Sequence, residues 1–140
     1  MSLAGTKEVD KGLEWSSKEQ QEQQFVTDYI TSELNKQGVK DINIKGPYTV
    51  SAGNIEHLRS DISFDLNNKY PLDIAWGLHP TPAVNGVPKE QSTKLIKQIE
   101  LEDSTQDRSL YSGFIGLISQ TSSRLYVNLR CCELTNSNAH

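Results

Sequence analysis

Apolar residues recur at helical spacing from the middle of the first third of the chain: Phe25, Val26, Tyr29, Ile30 and Leu34. The spacing predicts a helix over about 17–37, opened by Ser16 with Glu19 in capping-box position and stopped by Gly38. At about 100° per residue the apolar stripe centres near Val26, with Glu19 and Glu22 within about 40° of it. Gln20, Gln21 and Gln24 point away. Two carboxylates are therefore expected on the inward side of this helix.

Beyond Gly38 the period changes to two. "DINI", then "YTVS" after a Gly46-Pro47 turn, then "NIEHLRSDISFDL" read as strands. In the last, Leu58, Ile62, Phe64 and Leu66 share one face, which sends Ile55, His57, Arg59 and Asp61 to the other. Pro71 opens a short helix through "LDIAWG", and Pro88 opens another through "KEQSTKLIKQIELE", with Leu95, Ile96 and Ile99 inward. Between them "GLHPTPAVNGVPKE" is expected to be a stiff interhelical loop. The tail reads as a hairpin, "LYSGFIGLIS" and "RLYVNLRCCEL" about the turn "QTSS". Its second strand sets Leu125, Val127, Leu129 and Cys131 against Tyr126, Asn128, Arg130 and Cys132. The fold class is mixed α/β (α+β) with antiparallel strands, and no repeat or linker marks a domain boundary within 1–140.

Composition narrows the function classes. The chain has 140 residues, 35% hydrophobic and 23% charged, which suits one folded domain. A net charge of −4 without a Lys/Arg stripe argues against nucleic acid or an anionic membrane as partner, and small polar partners fit better. No apolar run approaches the length of a membrane span and no signal-peptide pattern opens the chain, so a cytoplasmic location is expected. Cys131 and Cys132 are neighbours on an apparent strand and face opposite ways, which favours packing over a disulfide or zinc site.

Two carboxylates one turn apart on a buried stripe are costly unless neutralised, and a hard divalent cation such as Mg²⁺ would do so. The alternative is that the first helical turn projects past the core with both glutamates solvated and favoured by the helix dipole. His57 and Arg59 on one strand face, and Arg130 on another, could grip a carboxylate, though each also suits an ordinary surface role. No nucleophile elbow, P-loop or dinucleotide fingerprint is present. The residues alone reach a candidate Mg²⁺ and anion site.

The order of the motifs goes further. "LAGT" (3–6), "SSKEQQEQQFV" (16–26), "NIEHLRS" (54–60), "LHPTPAVNGVPKE" (78–90), "DRSLYSGFIG" (107–116) and "LYVNLRCCEL" (125–134) follow one another as in chorismate-utilising enzymes. The chain resembles that family, above all its menaquinone-pathway isochorismate synthases. The resemblance implies a layered α/β/β/α sandwich around a deep site. It makes Glu22 a Mg²⁺ ligand, with Glu19 the acidic residue one turn earlier, and Gly5 and Thr6 a Gly-Thr pair at the substrate chorismate. His57 would lie near the ring carboxylate, and Tyr111 and Arg130 would hold the enolpyruvyl carboxylate. In such enzymes a lysine activates water for attack at C2, and a glutamic acid protonates the departing C4 hydroxyl.

That lysine and glutamic acid would precede "LAGT" in the family, and a further metal glutamate would follow the last strand here. The expectation is a partial catalytic domain over 1–140, with no catalytic residue of its own, inactive alone, and prone to self-association through unpaired sheet edges. Ala83 and Val84 would form an apolar pocket wall. The resemblance places a threonine at Ala83 in salicylate synthases and Ser/Gly-rich text there in anthranilate-type members. Isochorismate synthase therefore leads, with salicylate synthase, or a non-catalytic remnant that keeps only the fold, as the alternatives. His79 is read as structural.

Overall fold

Ser16 and Gly38 do bound the first helix, and both ends use local chemistry to satisfy orphan backbone groups. The computed structural model describes residues 2–9, 14–102, 108–129 and 132. Helix α1 spans Ser17–Lys36. At its carboxyl end Gly38 N–H donates to Asn35 O at 2.9 Å and Val39 N–H to Leu34 O at 3.0 Å, with Gly38 at φ +72°. This is a Schellman closure, and it carries the accompanying apolar contact, because Leu34 and Val39 are both buried in one cluster with Ile74.

The chain divides into two compact units, Met1–Leu78 and His79–His140. In the first, β1 (Ser2–Glu8), β2 (Asn43–Ala52) and β3 (Ile55–Ser63) form a three-stranded sheet in the order β1-β3-β2, antiparallel throughout. Helix α2 covers Pro71–Leu78. Ile30, Ile42, Ile62, Phe64 and Leu78 pack around the Leu34, Val39 and Ile74 cluster, so the core draws on α1, β3 and α2 together.

Two expectations for this unit are corrected. The segments either side of Gly46-Pro47 are one strand, β2, whose register with β3 shifts between Lys45 and Tyr48. Pro47 has no N–H to give a ladder, and a bulge absorbs it. The buried residues of α1 are Gln23, Thr27 and Leu34, and Phe25 is 62% exposed. Gln23 can be buried because its Nε2 donates to the equally buried Ser60 Oγ at 2.8 Å, while Thr27 Oγ1 returns to Gln23 O at 2.9 Å. The inward stripe is thus turned from the Val26 line, and Glu22 is exposed.

In the second unit α3 (Pro82–Asn85) and α4 (Lys89–Glu102) precede the antiparallel hairpin β4 (Phe114–Ile118) and β5 (Ser123–Val127). The expected loop therefore contains a helical turn, with Pro82 in its first position. The expected inward ridge of α4 is also corrected. None of its residues is buried, and Leu95 and Ile99 are 57% and 55% exposed. Ile115 and Leu117 of β4 are likewise exposed. No described helix is long and apolar enough to cross a membrane.

Candidate functional site

The site residues in the first unit gather where β1 bulges. Ala4 faces Leu58 and Thr6 faces His57, so Gly5 between them is the extra residue, at φ +73°. A Cβ there would stand 3.1 Å from Glu19 Cβ, 3.2 Å from Glu19 Cγ and 3.3 Å from the Trp15 ring. Only glycine lets β1 lie this close to the start of α1. Trp15 is itself fixed: its Nε1 donates to Thr49 Oγ1 at 2.9 Å, and Lys7 Nζ lies 4.9 Å from its ring centroid.

His57 is held from β1. Its Nδ1 lies 3.0 Å from Thr6 Oγ1 and 3.2 Å from Gly5 O. A carbonyl only accepts, so the proton belongs on Nδ1, and Nε2 is the nitrogen left for another partner. The structure therefore brings Gly5, Thr6 and His57 into one hydrogen-bonded group, with Glu19 against Gly5.

The two glutamates of α1 differ. Glu19 Oε2 accepts the Ser16 backbone N–H at 2.7 Å and also the Ser16 hydroxyl. These bonds hold its carboxyl below the usual glutamate range, the side-chain bond to Ser16 first. Glu22 faces only Lys18 among the described residues, 3.9 Å away, and its side chain is 50% exposed. Among the described residues no cluster of three or more His, Cys, Asp or Glu could hold a metal by itself.

Arg59 shares the His57 face but is already engaged. Its Nε and NH2 donate to Asp61 Oδ1 and Oδ2 at 2.8 and 3.1 Å, and its guanidinium lies 5.8 Å from the Tyr48 ring centroid. Tyr48 OH donates to the same carboxylate. Asp61 is held below the usual aspartate range by Arg59 first and Tyr48 second. Its guanidinium being paired with Asp61, Arg59 is a structural partner here rather than an open cationic wall.

In the second unit Ala83 is exposed and Val84 half-buried on α3. That turn is fixed by more than proline. Asn85, buried, donates from Nδ2 to Lys89 O at 3.0 Å and accepts from Thr93 Oγ1 at 2.9 Å. Lys89 Nζ reaches His79 O at 2.9 Å, and the His79 ring meets Phe114 edge to face at 5.8 Å. Burial first, and the Lys89 charge second, lower the His79 pKa. Tyr111 lies in the turn before β4, with its N–H on Arg108 O at 2.7 Å and the Arg108 guanidinium 5.9 Å from its ring centroid. Arg108 also pairs with Glu100 and donates to Ser112 Oγ at 3.2 Å. Asn128 Nδ2 holds Leu110 O at 2.8 Å. Arg130 and Cys131 lie outside the described residues.

Trp15, Ser60 and Asn128 are supports that sequence reasoning did not single out. Asp61 carried a readable signal, since it sits two residues from Arg59 on the same strand face. Ser60 and Asn128 carried none, because their partners come from distant segments.

Comparison with known proteins bears on what this arrangement belongs to. The isochorismate synthase MenF of Haemophilus influenzae is 29% identical over 140 residues, covering 92% of this chain and 31% of that protein. A putative isochorismate synthase MenF of Mycobacterium tuberculosis is 32% identical over 124 residues, covering 86% of this chain and 32% of that protein. The chain thus spans about a third of the length of the curated relatives it matches. Among solved structures, the menaquinone-specific isochorismate synthase MenF of Escherichia coli superposes with a TM-score of 0.74 at 26% identity, covering 93% of this chain and 32% of that one. A putative 2,3-dihydroxybenzoate-specific isochorismate synthase, DhbC of Bacillus anthracis, gives 0.76 at 25% identity, covering 95% and 38%. The sequence pattern of the family described as chorismate binding enzyme extends over residues 2–140, the bulged "LAGT" strand and the "HPTPAV" turn included, and the chain belongs to that family.

Proposed function

We propose that this chain is part of an Mg²⁺-dependent isochorismate synthase, converting chorismate to isochorismate for menaquinone biosynthesis. The observation that carries the reading is the Gly5, Thr6 and His57 group beside the start of α1, in a chain whose curated relatives bear the isochorismate synthase name. Chorismate carries two carboxylates. As an imidazolium, held through Nδ1–H on Gly5 O and donating from Nε2–H, His57 is the candidate partner for one, and Tyr111 with Arg130 for the other; Ala83 and Val84 supply apolar wall.

Mg²⁺ takes one or two carboxylates and leaves its other positions to water and substrate oxygens. Glu22 fits such a site as a single protein ligand, since only a long contact to Lys18 engages it among the described residues. When bound, the ion would neutralise and orient a substrate carboxylate. The 140 residues hold only part of a catalytic domain in this reading, which the share of the relatives' length supports. The catalytic lysine and glutamic acid that the family resemblance implies would be supplied by further chain.

A second reading is favoured by the exposure of Glu22, whose carboxylate needs no metal to offset burial: the chain is a non-catalytic remnant that keeps only the fold. Calorimetry separates the readings. Weak chorismate binding that requires Mg²⁺ and is lost in Glu22→Ala is expected. Absence of chorismate binding with or without Mg²⁺ would overturn the substrate assignment. Measurable isochorismate formation by the 140 residues alone would refute the partial-site reading.

A further inference from the structure

We propose that Glu19 is a positioning residue, not a ligand of the metal: it fixes the first turn of α1 against the β1 bulge and thereby sets where Glu22 stands. The inference rests on the metal reading of Glu22 given above. Glu19 is gripped at both ends. Its stem lies under the bare Cα of Gly5, where an added Cβ would come within 3.1 Å of it. Its head caps Ser16 through the backbone N–H at 2.7 Å and through the hydroxyl.

The turn it closes is tied to the sheet on the same side. Gln20 Nε2 donates to Trp15 O at 2.9 Å, and Trp15 is bonded to Thr49 on β2. Swinging Glu19 toward a metal would release the Ser16 N–H and open the contact that makes Gly5 necessary. Glu22, one turn later, has no such duty. The two acidic residues that share a turn thus divide the work, one holding the helix in place and the other facing solvent.

Capping boxes accept glutamine as readily as glutamate in this position, whereas a neutral amide is a poor substitute for a carboxylate on Mg²⁺. Glu19→Gln therefore separates the roles. In Mg²⁺ calorimetry with chorismate present, Glu19→Gln should stay within about twofold of the native affinity, and Glu19→Ala should weaken it about fivefold, the effect of a typical lost cap. Glu22→Gln should abolish binding. Amide exchange over 17–23 should quicken in Glu19→Ala and return to native in Glu19→Gln.

Loss of Mg²⁺ binding in Glu19→Gln as complete as in Glu22→Gln would overturn the inference and restore Glu19 as a ligand. Faster exchange in Glu19→Ala with unchanged Mg²⁺ affinity would reduce it to a plain cap and also overturn it. A native chain that binds no Mg²⁺ sinks the metal reading itself, and the positioning role with it.

Discussion

Gly5→Ala is the sharpest test of how β1 meets α1, because it imposes two separable penalties. The new Cβ would occupy a left-handed backbone at φ +73°, a conformation that costs an L-residue about 1–2 kcal/mol. It would also press on Glu19 Cβ and Cγ at 3.1 and 3.2 Å and on the Trp15 ring at 3.3 Å. Those neighbours cannot easily give, since Glu19 caps Ser16 and Trp15 is bonded to Thr49. Overpacking of this kind adds about 1–3 kcal/mol. The sum, roughly 2–5 kcal/mol, is a large part of the about 4–12 kcal/mol expected for a unit of this size. A melting temperature lowered by roughly 8–40 °C in circular dichroism follows.

Gly38→Ala supplies the control. Gly38 has nearly the same backbone angle, φ +72°, but a Cβ there meets only Lys69 Nζ, at 4.0 Å. It should pay the backbone cost alone, about 1–2 kcal/mol. The difference between the two variants isolates the packing of the bulge on α1. If Gly5→Ala proves no worse than Gly38→Ala, the close approach of β1 to Glu19 and Trp15 is wrong.

Ser60→Ala removes the oxygen that Gln23 Nε2 uses at 2.8 Å inside the first unit, and should cost about 1–3 kcal/mol in denaturant unfolding. A neutral result would mean the pair is not buried as described. Acid should act in two stages. His79 resists protonation in the fold, so its contribution is complete above about pH 6.5 and is lost as pH falls through the lowered folded value; His79→Gln should remove that stage. Asp61 stays ionised to lower pH in the fold than in the unfolded chain, so its contribution is complete above about pH 4 and fades below, and Asp61→Asn should flatten that limb. An unchanged acid limb in either variant counts against the partner assigned to it. Leu117 is 80% exposed on a strand that reads FIGLI without a charge. Light scattering should show concentration-dependent self-association that Leu117→Lys reduces, and a clean monomer at high concentration would argue otherwise.

What could be read in the chain was set by how far apart the cooperating residues lie. Both ends of α1 were legible, because a capping box and a Schellman closure involve residues within a few positions of each other. Strand β3 was legible too, since one alternation decides which side chains share a face. The bulge in β2 was not: Gly46-Pro47 signals a turn locally, and only the ladder with β3 carries the strand through it. The helical turn at Pro82–Asn85 was hidden because four residues are too few for a hydrophobic period to show, and the bonds of the Asn85 side chain to Lys89 O and Thr93 Oγ1 leave no helical pattern in the sequence. Gly5 and Thr6 were recognisable by resemblance alone. The physical need for glycine appears only when Glu19 and Trp15 are brought against it.

The carboxylates of α1 show why a hydrophobic wheel can mislead at a site. The wheel weighs residues by apolarity, so it drew the inward line through Val26 and placed both glutamates near it. The fold instead buries Gln23 and Thr27, whose Nε2 and hydroxyl are met by Ser60 Oγ and a backbone carbonyl. Turning the helix by that much takes Glu22 out of the core and leaves Glu19 at the sheet. The cost of burial that first suggested a metal therefore does not arise for Glu22, which is half exposed without one. A metal there has to be held by what the ion and substrate offer each other, and Glu22 can contribute affinity without being needed for folding. Glu22→Ala should accordingly leave the thermal stability of the metal-free chain within about 0.5 kcal/mol of native, as for an ordinary surface substitution, while removing Mg²⁺-dependent binding. A variant that unfolds would show that the carboxylate is built into the core after all.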